Sequence, residues 1–241
     1  MPSTNQWVLS LGVAGGFGRD SSHIGGDAGR VDGTAKVIAV YGSMTPVAGL
    51  FADGVVSHGW LDLDAQRSDT SSGLTTRSRR DGQFTAAAVS AGIDRLSGPL
   101  QWSVYGRGEY LSGELEAYRE FGAGIYDLRF DSRKIRSTTG VLGFKTAYRE
   151  AVRFGLMGAT LRGEWQYEFT GGSRQDLDYA DVDGFAFYSL RAQNWSRQQF
   201  VLSPGFELVT PSNWEFAVTL GIRAAGDERA ATSSVRASKS F

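Results

Sequence analysis

The two histidines of this chain are the first residues to examine for acid–base or metal chemistry. His23 lies in the polar stretch DSSHIGG, which is typical of a solvated loop and brings no second ligand at a zinc-binding spacing. His58 follows Ser57 and has Asp53 and Asp62 nearby, so a Ser-His-acid hydrolase is one hypothesis. Neighbouring residues of a strand point to opposite faces, however, so Ser57 and His58 are not expected to meet.

The carboxylates give no catalytic pair either. Glu164 and Glu168 share one face of an alternating segment and lie about 13 Å apart at a strand rise of about 3.3 Å per residue, too far for a glycosidase pair. The sequence contains no GxSxG, Walker, GxGxxG or calcium-loop motif. We therefore expect no enzyme activity, no cofactor and no metal.

Composition narrows the class of protein. Lys and Arg number 25 against 26 Asp and Glu, for a formal net charge of -1, so no overall field attracts nucleic acid. Glycine is frequent, with 32 of 241 residues, which is typical of a β protein whose strands bend and pack closely. Cysteine is absent, which weakly favours the cell envelope. The N-terminal stretch MPSTNQWVLSLGVAGGF has no basic segment before its apolar part, so we expect a signal that was lost or a longer parent chain.

Apolar and polar residues alternate with period two over long segments. In 214–223, Trp214, Phe216 and Val218 fall on one face, while Glu215 and Arg223 fall on the other. Soluble strands usually have about 5–6 residues, whereas strands of roughly ten residues match a tilted crossing of a bilayer. Aromatic residues at strand ends suit the girdles of a membrane barrel: Trp7, Trp60, Tyr110, Trp165, Phe169 and Trp214. The pattern predicts an all-β, antiparallel, up-and-down transmembrane barrel as a single domain over residues 1–241.

Ten strands are predicted, at 7–17, 35–43, 50–65, 83–95, 100–111, 139–149, 153–169, 199–209, 214–225 and 232–241. The links between them alternate between long and short, as expected for external loops and periplasmic turns. The short links carry turn residues, as in Ser97-Gly98-Pro99 and Pro211-Ser212-Asn213. The long links, rich in Asp, Ser, Arg and Gly, are interpreted as solvated mobile loops.

The two faces of the predicted strands separate two groups of residues. Facing lipid we expect Trp102, Val104, Trp165, Phe200, Leu202, Trp214, Phe216, Val218 and Leu220. Lining the lumen we expect Arg107, Glu109, Lys145, Arg162, Glu164, Glu168, Glu207 and Arg223. Opposite charges on adjacent strands could pair there across roughly 5 Å.

The order of local patterns resembles the autotransporter β-domain, the barrel through which type V secretion proteins export a passenger. The segments that carry the resemblance are WVLSLGVAGGFGRD, KVIAVYGSMTPVAGLFADGVVSHGWLDLDAQR, GAGIYDLRFDSRKIRSTTGVLGFKTAY, LRGEWQYEF and SVRASKSF. Together they cover almost the whole chain. Each motif alone is degenerate, and their order and spacing make the match specific.

The resemblance implies a translocator in the bacterial cell outer membrane, with membrane lipid, the barrel assembly machinery and its own passenger as partners. It implies an assembly signal at Val235, Ala237 and Phe241, from which Lys239 departs because the family prefers an apolar residue there. The family barrel has twelve strands and a helix in its lumen. Since ten strands are counted here, two N-terminal strands and the linker helix are expected to be missing from this chain.

The sequence leaves two roles open for the lumen charges. They could form a hydrated ion-pair network that keeps the lumen open, or line the path of the exported polypeptide and hold the linker helix. Two other functions also stay open: a stand-alone small porin or adhesin-like barrel, and an outer-membrane hydrolase that uses His58.

Overall fold

The computed structural model of the protein describes residues 8–24, 28–47, 49–68, 73–170, 172–181, 188–191 and 196–239. Most of these residues lie in strands: β1 (Val8–Ile24), β2 (Gly29–Thr45), β3 (Leu50–Ser68), β4 (Thr75–Ser97), β5 (Leu100–Leu115), β6 (Tyr118–Arg119), β7 (Leu128–Phe130), β8 (Arg133–Val152), β9 (Gly155–Glu168), β10 (Arg174–Tyr179), β11 (Tyr188–Arg191), β12 (Gln198–Val209), β13 (Trp214–Ala225) and β14 (Glu228–Lys239). A short 3-10 helix spans Gly124–Tyr126. Among these residues, no helix is long and apolar enough to cross a membrane.

Ten long strands form one curled antiparallel sheet, which we call the wall, in the order β1-β2-β3-β4-β5-β8-β9-β12-β13-β14. The ten predicted strands and the all-β meander are therefore confirmed. Over the described residues β1 and β14 are not paired with each other, so both are edges of the wall. The short turns also form as expected: Gly98 and Asn213 both adopt positive φ, at 59° and 61°.

Several strands are longer than predicted at the end of the sheet that carries the long links, which we call the long-loop end. The strand predicted at 35–43 begins at Gly29, and the one predicted at 83–95 begins at Thr75. These extensions are polar on both faces, so the period-two signal disappears while the backbone ladder continues. Ion pairs such as Arg30–Asp32 and Arg79–Asp62 accompany them.

The interpretation of links 112–138 and 170–198 as solvated loops is wrong for most of their described residues. They contain β6, β7, β10 and β11, which form a second sheet in the order β11-β10-β7-β6 and which we call the upper tier. The strands of the upper tier pair in the same register as the wall strands that they continue. Leu115 opposes Arg133 in the wall, and Tyr118 opposes Phe130 equally far beyond them.

The same register continues between the other strands of the upper tier. The pairing of β7 with β10 extends that of β8 with β9, and the pairing of β10 with β11 extends that of β9 with β12. The upper tier thus continues four neighbouring wall strands, β5, β8, β9 and β12, beyond the long-loop end. A short stretch without regular strand pairing separates the two. Local charge density concealed this continuation in the sequence.

The two faces of the wall differ in the way that the alternation predicts. All nine residues expected to face lipid are exposed in the absence of lipid, from 38% at Trp165 to 57% at Phe200. The opposite face carries the most shielded positions of the wall, such as Val141 and Ala147, each 3% exposed. No large apolar side chain of the described residues is fully buried. The apolar surface therefore faces outward, contrary to the arrangement in a soluble protein.

Replacing Val218 with Arg tests the outward face. Val218 opposes Phe206 and Val235 at mid-strand, so the new charge would lie in hydrocarbon and cost about 2–4 kcal/mol of folding free energy in the membrane. Thr219→Arg is the matched control, because Thr219 lines a polar cavity on the inner face. Urea titration of heat-modifiable gel mobility in lipid vesicles should show the loss for Val218→Arg alone. A loss in Thr219→Arg alone would mean that the faces are reversed, and equal losses would contradict the assignment of two different faces.

Candidate functional site: the inner wall

The structure places all eight predicted lumen residues on one face of the wall. Alternation along each strand and the register between strands bring Arg107, Glu109, Lys145, Arg162, Glu164, Glu168, Glu207 and Arg223 to the side opposite the exposed apolar residues. Side chains on this face reach across intervening strands, from β5 to β9 and from β8 to β12. Such long contacts fit the concave side of a curled sheet, so we call this face the inner wall.

Glu164 is the centre of a polar cluster on the inner wall. Its side chain is fully shielded, and its carboxylate accepts hydrogen bonds from Tyr105, Arg107, Arg162 and Gln166. The Arg107 bonds are 3.0 and 3.2 Å long, and the Arg162 Nε bond is 2.8 Å. One carboxylate therefore holds two guanidinium groups and links strands β5 and β9.

A glycine in the intervening strand makes this link possible. Gly143 of β8 lies between Tyr105 and Glu164 in the register. A Cβ at Gly143 would lie 2.5 Å from the ring of Tyr105, so only glycine leaves room for the phenol to cross. Gly158 plays the same part beneath Glu207, which reaches Arg149 of β8.

The charges pair in a different geometry from the one predicted. Arg107 and Arg162 each contact an acidic residue two positions away on their own strand, Glu109 and Glu164. The inter-strand pairs that involve these eight residues skip a strand, whereas Arg236 of β14 does pair with Glu215 of the neighbouring strand β13 on the same face. Directly opposite positions hold like charges in one case, Lys145 and Arg162. Opposite charges on adjacent strands are therefore not what holds this set together.

Three predicted residues make no charge pair within the described part of the chain. Glu168 instead accepts hydrogen bonds from Ser137, Thr139 and backbone N–H groups at the end of β9. Neither Lys145 nor Arg223 has a hydrogen bond or ion pair in those residues. Both therefore remain available to contacts outside this network, such as water.

Sequence reasoning missed several polar residues of the inner wall. Tyr105, Gln166, Gln101 and Arg149 all join the hydrogen-bond network there. The sequence did contain the information to find them, because each lies an even number of residues from a predicted lumen residue of its own strand and so shares its face. Selecting only charged residues left out the three neutral ones, and Arg149 was left out although it is charged.

An open polar cavity of about 590 Å³ lies on the inner wall towards the short turns. Its lining includes Asp53, Asp94, Lys145, Arg149 and Arg162. Asp94 accepts hydrogen bonds from Gln101 and Ser103, and Asp53 accepts one from Ser90. Cations and carboxylates are thus interspersed, which leaves the cavity wettable and without one dominant sign of charge.

Arg80 forms hydrogen bonds across the irregular stretch between the wall and the upper tier. Its guanidinium donates to the carbonyl oxygens of Leu115, Glu116 and Asp131, at 3.4, 2.7 and 3.2 Å, and to Gln175 Oε1 at 3.1 Å. These carbonyl groups lie where the strand ladder is interrupted, so one side chain supplies donors that the ladder no longer provides.

Two more contacts hold the upper tier against the inner face. Arg67 donates to Glu120 Oε2 at 2.6 Å and to the carbonyl of Tyr126 at 3.2 Å. Tyr118 stacks on Phe130 with ring centroids 4.5 Å apart, beneath the Arg80 guanidinium. Burial raises the pKa of Tyr118 to about 12, so its hydroxyl stays protonated. The upper tier also stays joined to the wall through its backbone, because Phe121 pairs with Arg77 of β4 by two hydrogen bonds of 2.9 Å.

Comparisons with known proteins decide the family. The family model of the autotransporter β-domain matches residues 5–221. The chain belongs to this family. Autotransporter β-domains are translocator barrels of the bacterial outer membrane, the location and role that the sequence pattern implied. Family membership favours this role over the porin, adhesin and hydrolase hypotheses.

Solved structures agree on the fold. The translocator domain of the autotransporter NalP from Neisseria meningitidis is 12% identical, with a TM-score of 0.72 over 97% of this chain and 76% of that one. The β domain of the Bordetella autotransporter BrkA is 14% identical, with a TM-score of 0.51 over 97% of this chain and 91% of that one. No curated protein matches the chain.

The hydrolase hypothesis also lacks its geometry in this autotransporter β-domain. Ser57 shares the inner face with Asp53, whereas His58 lies on the outer face beside Trp60, with ring centroids 4.7 Å apart. The His58 Nδ1 atom lies 3.0 Å from Thr85 Oγ1. No group of acidic, histidine or cysteine residues among those described is arranged to hold a metal ion.

The predicted assembly signal lies on the outer face of β14 as far as it is described. Val235 opposes Val218, and Ala237 opposes Phe216, while Phe241 lies outside the described residues. The departure at Lys239 has a local explanation, because its Nζ atom lies 5.7 Å from the ring centre of Trp214. The cation thus covers an aromatic ring where the family places an apolar side chain.

Arg80→Leu should loosen the upper tier of this barrel. Three backbone carbonyl groups would lose a charged donor, a loss on the order of 2 kcal/mol local to the break. Hydrogen exchange should rise for 118–130 and 174–179 and stay unchanged in β9 and β12. Arg79→Leu, one residue away and facing outward, is the control. Unchanged exchange in Arg80→Leu would contradict the role given to this side chain.

Proposed function

We propose that the inner wall of this β-domain lines the path along which its passenger polypeptide crosses the outer membrane. The observation that supports it is the mutual pairing of the inner charges. Two guanidinium groups share Glu164, and Arg149 contacts Glu207. Because these charged groups pair with one another, they leave the wall wettable. A passing polypeptide would therefore not be held by strong attraction to unpaired charges.

In the proposed orientation the short turns face the periplasm and the upper tier faces the outside. Lys145 and Arg223, which have no partner in the described residues, are the positions best able to contact a passing chain or a linker segment. The chain itself is proposed to contribute no catalytic group, in keeping with the opposite facing of Ser57 and His58. Val235, Ala237 and Phe241 are proposed to present the signal that the barrel assembly machinery reads.

We also propose that the complete barrel contains two further strands between β1 and β14. Over the described residues neither β1 nor β14 has a second partner strand, and an unpaired strand edge in a bilayer leaves backbone groups without partners. The NalP translocator domain, of which this chain covers 76%, leaves room for additional elements. These strands would come from the polypeptide that precedes the described wall.

Disulfide trapping in the full-length protein tests the strand number. A cysteine at Val13 of β1, combined in turn with one at Ser233, Val235 or Ala237 of β14, should give no disulfide, since bridged Cα atoms must lie within about 7 Å. A cysteine pair at Val218 and Val235, which oppose each other in β13 and β14, is the positive control. A bridge between Val13 and any β14 position would show that ten strands close the barrel.

Replacing Arg162 and Glu164 together with Leu tests the export path. The outward face is untouched, so membrane insertion should stay near normal, while passenger export should slow because the polar surface is lost. Surface protease accessibility of a fused passenger measures export, and heat-modifiable mobility measures folding. The paired substitution of Arg79 and Asp62, which removes an outward ion pair at the long-loop end, is the control. Normal export in the inner-wall variant would contradict the proposed path.

A further inference from the structure

An apolar groove lies on the outer, lipid-facing side of the wall. Its volume is about 710 Å³, and its walls are formed by Val40, Val56, Val89, Tyr110 and Phe169. These five side chains are between 45% and 64% exposed without lipid, so they are open to whatever covers the groove. This volume is in the range of sites that hold small molecules.

Two cations follow the groove towards the long-loop end. Thr138 and Gly140 of β8 line the groove, and Arg136 and Lys134 are the next outward-facing residues of the same strand. Arg136 lies about 7 Å beyond Thr138, and Lys134 about 13 Å beyond it, at the usual strand rise. Both are exposed, and neither has a hydrogen bond or ion pair within the described residues.

The acidic residues nearby do not neutralise this pair. Glu114 opposes Lys134 in the register without forming an ion pair, and Arg136 opposes Ser112. Arg79 on the same outward face shows the contrast, because it contacts both Asp62 and Asp81. The groove thus ends at two cations that have no anionic partner within the described part of the chain.

We propose that this groove and the two cations form a binding site for a phosphorylated glycolipid of the external leaflet, of the lipid A type. An acyl chain occupies the groove, and a headgroup phosphate contacts Arg136 and Lys134. The positive charge of Arg136 and Lys134 complements the negative charge of a phosphate. Both cations lie beyond Thr138 towards the long-loop end, on the side where the headgroup of a lipid follows its acyl chains. The proposal rests on the membrane location of the family and on the proposed orientation.

Lipid retention by the folded full-length protein tests this site. The protein is folded in phosphatidylcholine vesicles with lipid A, with dephosphorylated lipid A or with phosphatidylglycerol, and native mass spectrometry counts the lipid retained after mild detergent extraction. The wild type should retain lipid A. Lys134→Gln with Arg136→Gln should lower retention roughly tenfold or more, because charged hydrogen bonds to the phosphate are lost.

Two further variants separate the parts of the site. Gly108→Leu should fill the groove and also reduce retention, since a Cβ at Gly108 meets nothing within 4 Å and the barrel can accept it. Arg79→Gln removes an equally outward cation that is already paired, and should retain lipid A normally.

Several results would overturn the proposal. They are normal retention in the double Gln variant, normal retention in Gly108→Leu, equal retention of dephosphorylated lipid A, or equal retention of phosphatidylglycerol. Heat-modifiable mobility must show that each variant is folded. Passenger export is measured in parallel, so that loss of the lipid site with normal export leaves the proposed export path untouched.

Discussion

The structure depends on one constraint: backbone N–H and C=O groups inside a bilayer have no water to bond, so every strand must be paired along its membrane-crossing length. The antiparallel ladder from β1 to β14 meets this constraint over the described residues, apart from its two outer edges and a gap between β12 and β13 at Ser203 and Pro204. The same membrane environment reverses the distribution of residues found in soluble proteins, with apolar side chains outside and polar side chains inside. Leu202 and Val218 belong outside because the bilayer is the apolar phase, and Glu164 belongs inside because the lumen is the polar one.

Once the ladder fixes the faces, the inner wall must accommodate its charges without help from a protein core. Pairing of directly opposite residues would use the shortest distances, yet Lys145 opposes Arg162. The chain resolves this by placing glycine in the strand between partners, so that Tyr105 reaches Glu164 across Gly143. Each such crossing joins three strands with one side chain and stiffens the curled sheet, which isolated pairs on neighbouring strands would not do.

The sequence predicted the wall well because alternation is a direct consequence of having two different solvents on its two faces. The ten strands, the outward residues and the common face of the eight lumen residues all follow from that one signal. In the extension of β4 between Thr75 and Asp81, both faces carry polar residues, one of them against the upper tier, so the signal vanishes although the strand continues. The particular partners of Glu164 were also beyond reach, since they depend on which positions between strands are glycine.

The upper tier shows how a strand register can persist while the faces exchange. In β5, Trp102 and Tyr110 face outward, and unbroken alternation would send Tyr118 outward too. Instead Tyr118 lies under Arg80, a residue of the inner face. The facing of the strand therefore inverts between Leu115 and Tyr118, while the pairing with the next strand stays in step. An inversion of this kind interrupts the ladder locally, and the carbonyl groups it exposes are the ones that Arg80 binds. A single guanidinium thus bridges the interruption while the register continues, and the change of facing places the ring of Tyr118 on the inner side, at the mouth of the proposed path.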